Sequence, residues 1–102
     1  MKDEVLERIV ANIDRAIRPK QIYLFGSRAK GTAREDSDYD ILVIYDGPLD
    51  KDEALLKITR QFERHDFSMD VIILRSEEFE WQKNIVTTVA NEVIHEGALI
   101  SE

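Results

Sequence analysis

A glycine-serine turn followed by basic residues is the first feature of the sequence that could handle a phosphate group. Gly26 allows the backbone to approach an anion closely, and the Ser27 hydroxyl can donate to phosphate oxygens together with the N–H groups of a helix starting there. Arg28 and Lys30 add positive charge, whereas Arg34 fits an exposed surface position as well as a phosphate contact. The segment is therefore predicted to cradle phosphate.

Three aspartates in or beside apolar runs are the second feature. Asp38 and Asp40 lead into the apolar residues 41–45, and the two-residue period of a strand places both side chains on one face. Asp70 lies inside the apolar run 69–74. Charges in such strands are costly unless they are paired or bound to a metal. If the two strands are neighbours, the three carboxylates converge.

Converging carboxylates make an oxygen-only site of the kind that Mg²⁺ prefers, and Mg²⁺ completes its shell with water and substrate phosphates. We expect two ions bridged by Asp38 and Asp40, because a two-metal site activates the attacking oxygen and stabilises the leaving group. Asp70 would bind the catalytic ion or accept the incoming proton. Ser37 fits a cap at the strand start as well as a substrate contact. The predicted substrate is a nucleoside triphosphate.

The elements that must position these residues alternate along the chain. Apolar and β-branched runs predict strands at residues 21–25, 39–45, 67–74 and, in a short final strand, 98–100. Helical spacing predicts helices at 3–17, at about 28–31, at about 50–63, from residue 76 onward, and across 85–94. Ser27 and Ser76 are expected as N-caps, and Gly97 as a C-cap. The pattern predicts one α/β (α+β) domain over residues 1–102, with a mixed sheet flanked by helices.

Composition excludes several classes of function. The formal charge of −7 argues against extended nucleic-acid binding, which needs many cations on one face. Cysteine is absent, and His65 and His95 alone do not assemble a zinc site of the usual kind. No signal-peptide pattern or bilayer-length apolar run is present, so the expectation is a cytoplasmic protein without membrane contact.

The motifs together resemble a known family. Leu24-Phe25-Gly26-Ser27, the ten-residue interval, Asp38-Tyr39-Asp40 and the later Met69-Asp70-Val71 are similar to the signature of the polymerase β-like nucleotidyltransferases. The short chain, the Arg-Ala-Lys-Gly continuation and the Ser37-Asp38 step narrow the resemblance to the minimal nucleotidyltransferase branch. The resemblance extends over nearly the whole chain.

The resemblance implies a polymerase β-like fold and Mg²⁺-dependent transfer of AMP from ATP to an acceptor, with release of pyrophosphate. Proteins of this branch are commonly paired with a HEPN-domain ribonuclease toxin, which they silence as antitoxins by adenylylating a tyrosine. Larger relatives carry extra domains for their acceptors, and this sequence shows none, so the acceptor surface is expected on a partner chain. The family resemblance therefore predicts a protein adenylyltransferase (AMPylation enzyme).

Two alternatives remain open at the level of sequence. The chain could be a non-catalytic nucleotide-binding antitoxin or regulator that acts by complex formation alone. It could also be the catalytic subunit of a small-molecule or RNA nucleotidyltransferase whose acceptor domain is a separate chain. No local motif encodes the base preference, the acceptor residue or the oligomeric state.

Overall fold

The computed structural model describes residues 3–62 and 67–102. Within them the helices are α1 (Glu4–Ile17), α2 (Ser27–Lys30), α3 (Lys51–Arg60), α4 (Ser76–Gln82) and α5 (Val89–Glu96). The strands are β1 (Gln21–Phe25), β2 (Tyr39–Ile44), β3 (Met69–Leu74) and β4 (Ala98–Ser101). No helix in this part of the chain is both long and apolar enough to cross a membrane.

The strands form one mixed sheet in the order β3-β2-β1-β4. β1 pairs antiparallel with β2 and with β4, whereas β2 and β3 run parallel. The parallel pairing confirms that the two aspartate-bearing strands are neighbours, and its register sets Asp40 directly beside Asp70. The predicted fold class, a mixed sheet flanked by helices, is thereby confirmed.

Each face of the sheet is covered by its own pair of helices. Ile41 and Val43 of β2 belong to the core that includes α1 and α3, whereas Leu42 and Ile44 belong to the core under α4 and α5. A central strand buried on both faces reads as a continuous apolar run, as β2 does. Because neighbouring side chains point to opposite faces, Asp40 lies on the α4/α5 face.

The first helix begins and ends where its sequence predicts. The Asp3 carboxylate caps α1 by accepting a hydrogen bond from the backbone N–H of Leu6 at 3.1 Å. The helix ends at Ile17, where Arg18 takes a left-handed conformation with φ of 49° ahead of Pro19. Asp3 also accepts a hydrogen bond from Tyr39 of β2, so the cap of α1 is joined to the strand that carries Asp40.

The start of α4 differs from the prediction. Ser76 was expected as the N-cap, but it is the first helical residue. Its backbone N–H donates to the Asp46 carboxylate at 2.9 Å, and its hydroxyl donates to the same carboxylate. One turn later, Glu78 accepts from the backbone N–H of Arg75 at 2.9 Å. A distant acid, Asp46, and an acid of the helix's own first turn, Glu78, therefore satisfy the helix end that the serine was expected to cap.

The predicted helix across residues 85–94 begins later than its apolar spacing suggests. Thr88 caps α5 by accepting from the backbone N–H of Asn91 at 3.1 Å, so Ile85 and Val86 lie in the turn between α4 and α5. Two further boundaries move inward, since α3 ends at Arg60 and β3 begins at 69. The predicted end of α3 at residue 63, like His65, lies outside the described residues.

Candidate active site

The three predicted aspartates lie where the parallel strands β2 and β3 begin, on the face of the sheet that α4 and α5 cover elsewhere. We call this end of the two strands the carboxylate edge. Asp40 and Asp70 are direct neighbours on the parallel strands β2 and β3, and Asp38 precedes Asp40 by two residues. Asp40 is partly buried, whereas Asp38 and Asp70 are exposed. The edge thus presents one sheltered carboxylate between two solvent-facing ones.

The pKa of Asp40 is shifted by this crowding of carboxylates. Burial raises the pKa of the Asp40 carboxyl above its usual range, and the negative charges of Asp70, Asp38 and Glu92 raise it further. The last of these acids was not predicted from the sequence. Glu92 lies in the first turn of α5, and its charge acts on Asp40. Its spacing resembles that of any polar helix face, so only the packing of α5 beside β1 identifies it.

Gly26 lies against Asp40 in a conformation that only glycine adopts readily. Its φ of 72° and ψ of −157° fall in a region that side-chain-bearing residues avoid. A Cβ atom at this position would stand 2.1 Å from Oδ2 of Asp40, far inside van der Waals contact. The predicted phosphate turn and the predicted metal ligand are therefore one packed unit. The absence of a side chain at residue 26 leaves room for the Asp40 carboxylate.

Ser27 follows this turn as the first residue of α2, with Gly26 in the N-cap position. The expectation that Ser27 is itself the cap is wrong, because the unusual backbone of Gly26 starts the helix one residue earlier. The backbone carbonyl of Ser27 accepts from the N–H of Thr32 at 3.0 Å, which closes the far end of the short helix. Ser27 stays beside the carboxylate edge, where its hydroxyl was predicted to meet phosphate.

Arg28 holds the loop that leads into the aspartates. Its Nε and Nη2 donate to the carbonyl oxygen of Ser37 at 3.1 and 2.7 Å, and Nη2 also donates to the carbonyl of Glu35 at 3.2 Å. The guanidinium carbon lies 4.0 Å from the ring centroid of Tyr39, within cation–π range. The structure thus places a predicted phosphate ligand on the backbone immediately before Asp38.

The same loop is tied down at two further points. The Ser37 hydroxyl oxygen accepts from the backbone N–H of Arg34 at 2.8 Å, which closes the loop over the three residues before Ser37. The buried Tyr39 donates its hydroxyl proton to the Asp3 carboxylate at 2.9 Å, joining β2 to the cap of α1. Burial, followed by this acid, raises the pKa of Tyr39. Ser37 and Arg28 therefore act on the loop between α2 and β2.

Lys30, the remaining predicted site residue, lies at the far end of α2. Its Nζ pairs with Oε2 of Glu96 at 3.1 Å, and both side chains are largely exposed. An exposed pair of this kind contributes little stability. The structure therefore places Gly26 against Asp40, which is the neighbour of Asp70 on the sheet, whereas Lys30 reaches toward α5.

The donor atoms at the carboxylate edge determine whether Mg²⁺ fits there. Over residues 3–62 and 67–102, no three acid or histidine side chains are gathered closely enough to form a ready metal site. The acids that face Asp40 nonetheless offer only carboxylate oxygens, and Mg²⁺ keeps several waters rather than requiring a complete protein cage. The aspartates therefore fit a Mg²⁺ site that water and substrate oxygens would complete.

Comparison with known proteins links this geometry to a family. The sequence profile of the family described as "Polymerase beta, Nucleotidyltransferase" matches residues 7–101. A solved structure described as a toxin-antitoxin with AMP-PNP shares 27% identity at a TM-score of 0.60, over 91% of this chain and 69% of its own. A Sulfolobus solfataricus structure, described provisionally as a nucleotidyltransferase, shares 22% identity at a TM-score of 0.63, over 94% and 76% of the two chains. No curated protein matches at a significant level.

Proposed function

The chain belongs to the polymerase β-like nucleotidyltransferase family, and on that premise we propose that it transfers AMP from ATP to a hydroxyl group of a protein partner. The observation that carries the proposal is the unit formed by Gly26, Asp40 and Asp70 at one sheet edge. It joins a backbone turn open to phosphate with a row of carboxylates. The proposed compartment is the cytoplasm, where ATP and Mg²⁺ are available.

The proposed reaction needs three tasks from the chain itself. The acceptor hydroxyl oxygen bonds to the α-phosphorus of ATP while the bond from that phosphorus to the α,β-bridging oxygen breaks, so pyrophosphate leaves. Asp38, Asp40 and Asp70 would hold Mg²⁺, which would stabilise the negative charge of the phosphates. The turn at Gly26 and Ser27 orients the triphosphate through N–H and hydroxyl donors. A carboxylate of the site receives the hydroxyl proton, and the exposed Asp70 is our candidate for this role.

The proposed partner is a HEPN-domain toxin, with the present chain as its antitoxin. Two observations support a separate acceptor protein. The described residues form one sheet with its flanking helices, which leaves no second described unit to present an acceptor. The 27% identical structure is a toxin-antitoxin with AMP-PNP, so a relative of similar architecture combines a partner with an ATP analogue. The HEPN identity of the toxin rests on the resemblance of the sequence motifs.

The test is a transfer assay with α-labelled ATP, Mg²⁺ and the protein encoded by the adjacent gene. We expect label on the partner protein with the wild-type chain and none with Asp38→Asn or Asp40→Asn. Both variants should fold, because removing a carboxylate relieves repulsion at the edge. Absence of label with the folded wild-type chain and a folded partner would exclude the proposed activity.

The same experiment separates catalysis from inhibition by binding. A double variant Asp38→Asn, Asp40→Asn retains the surface of the chain but lacks two of the three proposed metal ligands. If transfer silences the toxin, this variant should leave the ribonuclease active in a cleavage assay. Full silencing by the double variant would instead establish that complex formation alone is sufficient.

A further inference from the structure

A cleft beside the carboxylate edge has no role in the steps of the proposed reaction. It has a volume of about 610 Å³ and lies between α2 and α5, and its lining residues are Lys30, Val86, Asn91, Glu92, His95 and Glu96. Glu92 belongs to both places, because it lines the cleft and its charge acts on Asp40. A ligand in the cleft would therefore adjoin the proposed site of phosphoryl transfer.

The charges of the cleft disfavour a triphosphate. Two of its lining residues, Glu92 and Glu96, are acids, and the ammonium group of Lys30 is already paired with Glu96 at 3.1 Å. Anionic phosphates placed here would meet carboxylates without a compensating cation from Lys30. A segment bearing positive charge would instead find opposite charge at this wall. The acidic lining of the cleft thus favours binding of a positively charged acceptor segment over binding of the nucleotide.

The cleft also offers an apolar contact. Val86 lies in the turn between α4 and α5, and 83% of its surface is exposed. The turn presents this side chain at the cleft because α5 is capped at Thr88 rather than at an earlier residue. An isolated exposed valine is ordinary on a protein surface. Here Val86 lines a cleft whose Glu92 also acts on Asp40 of the carboxylate edge. An apolar side chain of a partner segment in this cleft can be buried against Val86.

We propose that the cleft between α2 and α5 binds the acceptor segment of the partner protein, a stretch that carries the reactive hydroxyl with a basic residue and an apolar side chain nearby. The proposal rests on the transfer reaction proposed above and names its acceptor subsite. Glu92 faces the basic residue, Val86 covers the apolar one, and the hydroxyl is thereby presented toward Asp40 and Asp70.

The test is a pair of matched substitutions, each replacing an exposed apolar residue by lysine. Val86→Lys places a positive charge and a longer side chain in the cleft. Leu56→Lys does the same on α3, which packs on the opposite face of the sheet and where Leu56 is 50% exposed. With the adjacent-gene protein as acceptor, we expect Val86→Lys to raise the KM for the acceptor about tenfold or more, as loss of a central contact does. The KM for ATP should stay within about twofold, as should both constants in Leu56→Lys.

Each outcome decides for or against the cleft. An acceptor KM in Val86→Lys equal to that in Leu56→Lys would overturn the proposal, and so would a rise confined to the KM for ATP. If the wild-type chain transfers nothing, the transfer hypothesis fails, and calorimetric titration of the same partner into both variants then tests the cleft separately. Weaker binding of the partner by Val86→Lys alone would support the cleft as a docking site, and equal binding would reject it.

Discussion

Replacement of Gly26 by alanine is the sharpest test of the unit formed by the turn and Asp40. The added Cβ would stand 2.1 Å from Oδ2 of Asp40, a distance that Cβ atoms in proteins essentially never show, and 3.0 Å from its Cγ. Because a carboxylate is the end of a side chain that can rotate, the overlap is relieved by moving Asp40 roughly 1 Å. Misplacement of a catalytic group by about 1 Å costs on the order of 10²-fold in rate.

The stability cost of the same variant comes from the backbone. Residue 26 has φ of 72° and ψ of −157°, a combination that costs a residue with a side chain about 1–3 kcal/mol. Forcing Asp40 off its rotamer adds about 0.5–1.5 kcal/mol. Gly26→Ala should therefore be measurably less stable in urea unfolding, yet folded, while its transfer rate falls on the order of a hundredfold.

Gly31→Ala provides a matched control. Gly31 also has positive φ, at 76°, but no atom lies within 4 Å of the Cβ that alanine would add. The control should lose about 1–2 kcal/mol through the left-handed backbone alone, and transfer by the folded fraction should be unchanged. The measurements are urea unfolding and transfer from α-labelled ATP for both variants. Equal transfer rates for the two alanine variants would refute the reasoning that Gly26 exists to accommodate Asp40.

Three further predictions concern single side chains. Asp40→Asn should raise the free energy of unfolding of the Mg²⁺-free protein at pH 7 but not at pH 3, because the raised pKa of Asp40 makes its ionised form destabilising above that pKa. The measurement is urea unfolding in the presence of a chelator, and no gain in stability at pH 7 would contradict the prediction. Arg28→Lys should lower kcat for transfer more than about tenfold, because one ammonium cannot replace the fork that holds the Ser37 carbonyl, and kcat equal to wild type would contradict it. Asp46→Asn should destabilise the protein at pH 7, because hydrogen bonds from Ser76 lower the pKa of Asp46 and so favour its ionised form in the folded protein. The difference should vanish as the pH falls through the folded-state pKa of Asp46, and an equal loss at pH 3 in urea unfolding would contradict the prediction.

One part of the aspartate arrangement could be predicted because it depends on simple geometry. A two-residue period sets Asp38 and Asp40 on one face, and an uninterrupted apolar run indicates a strand buried on both sides, for which parallel neighbours are usual. That β2 and β3 are neighbours was a condition of the prediction, because neither fact sets the order of the strands in the sheet. The register that sets Asp40 beside Asp70 is itself a contact between distant parts of the chain, and the structure supplies it.

Contacts between distant residues account for what the sequence did not reveal. Arg28 was expected at phosphate because it follows a phosphate turn, but the carbonyl that it binds belongs to a residue nine positions away. No pattern in the sequence distinguishes an arginine directed at a substrate from one directed at a loop. Glu92 was missed for a similar reason, since its orientation toward Asp40 depends on how α5 packs against β1. The start of α4 likewise depends on Asp46, thirty residues before the serine that it binds.

The placement of these contacts explains how the edge tolerates charges that repel one another. Hydrogen bonds and a cation–π contact link the cap of α1, strand β2 and the loop before Asp38 through Asp3, Tyr39 and Arg28. These contacts centre on Tyr39, which belongs to the core on the side of the sheet that α1 and α3 cover. The carboxylates themselves point to the other face, where α4 and α5 leave the edge uncovered and solvent-accessible. The backbone is thus fixed from the covered side while the repulsion remains on the open one. A cation or substrate that neutralises the acids would relieve that repulsion without rebuilding the loop, so the stability lost to the crowded edge becomes binding energy.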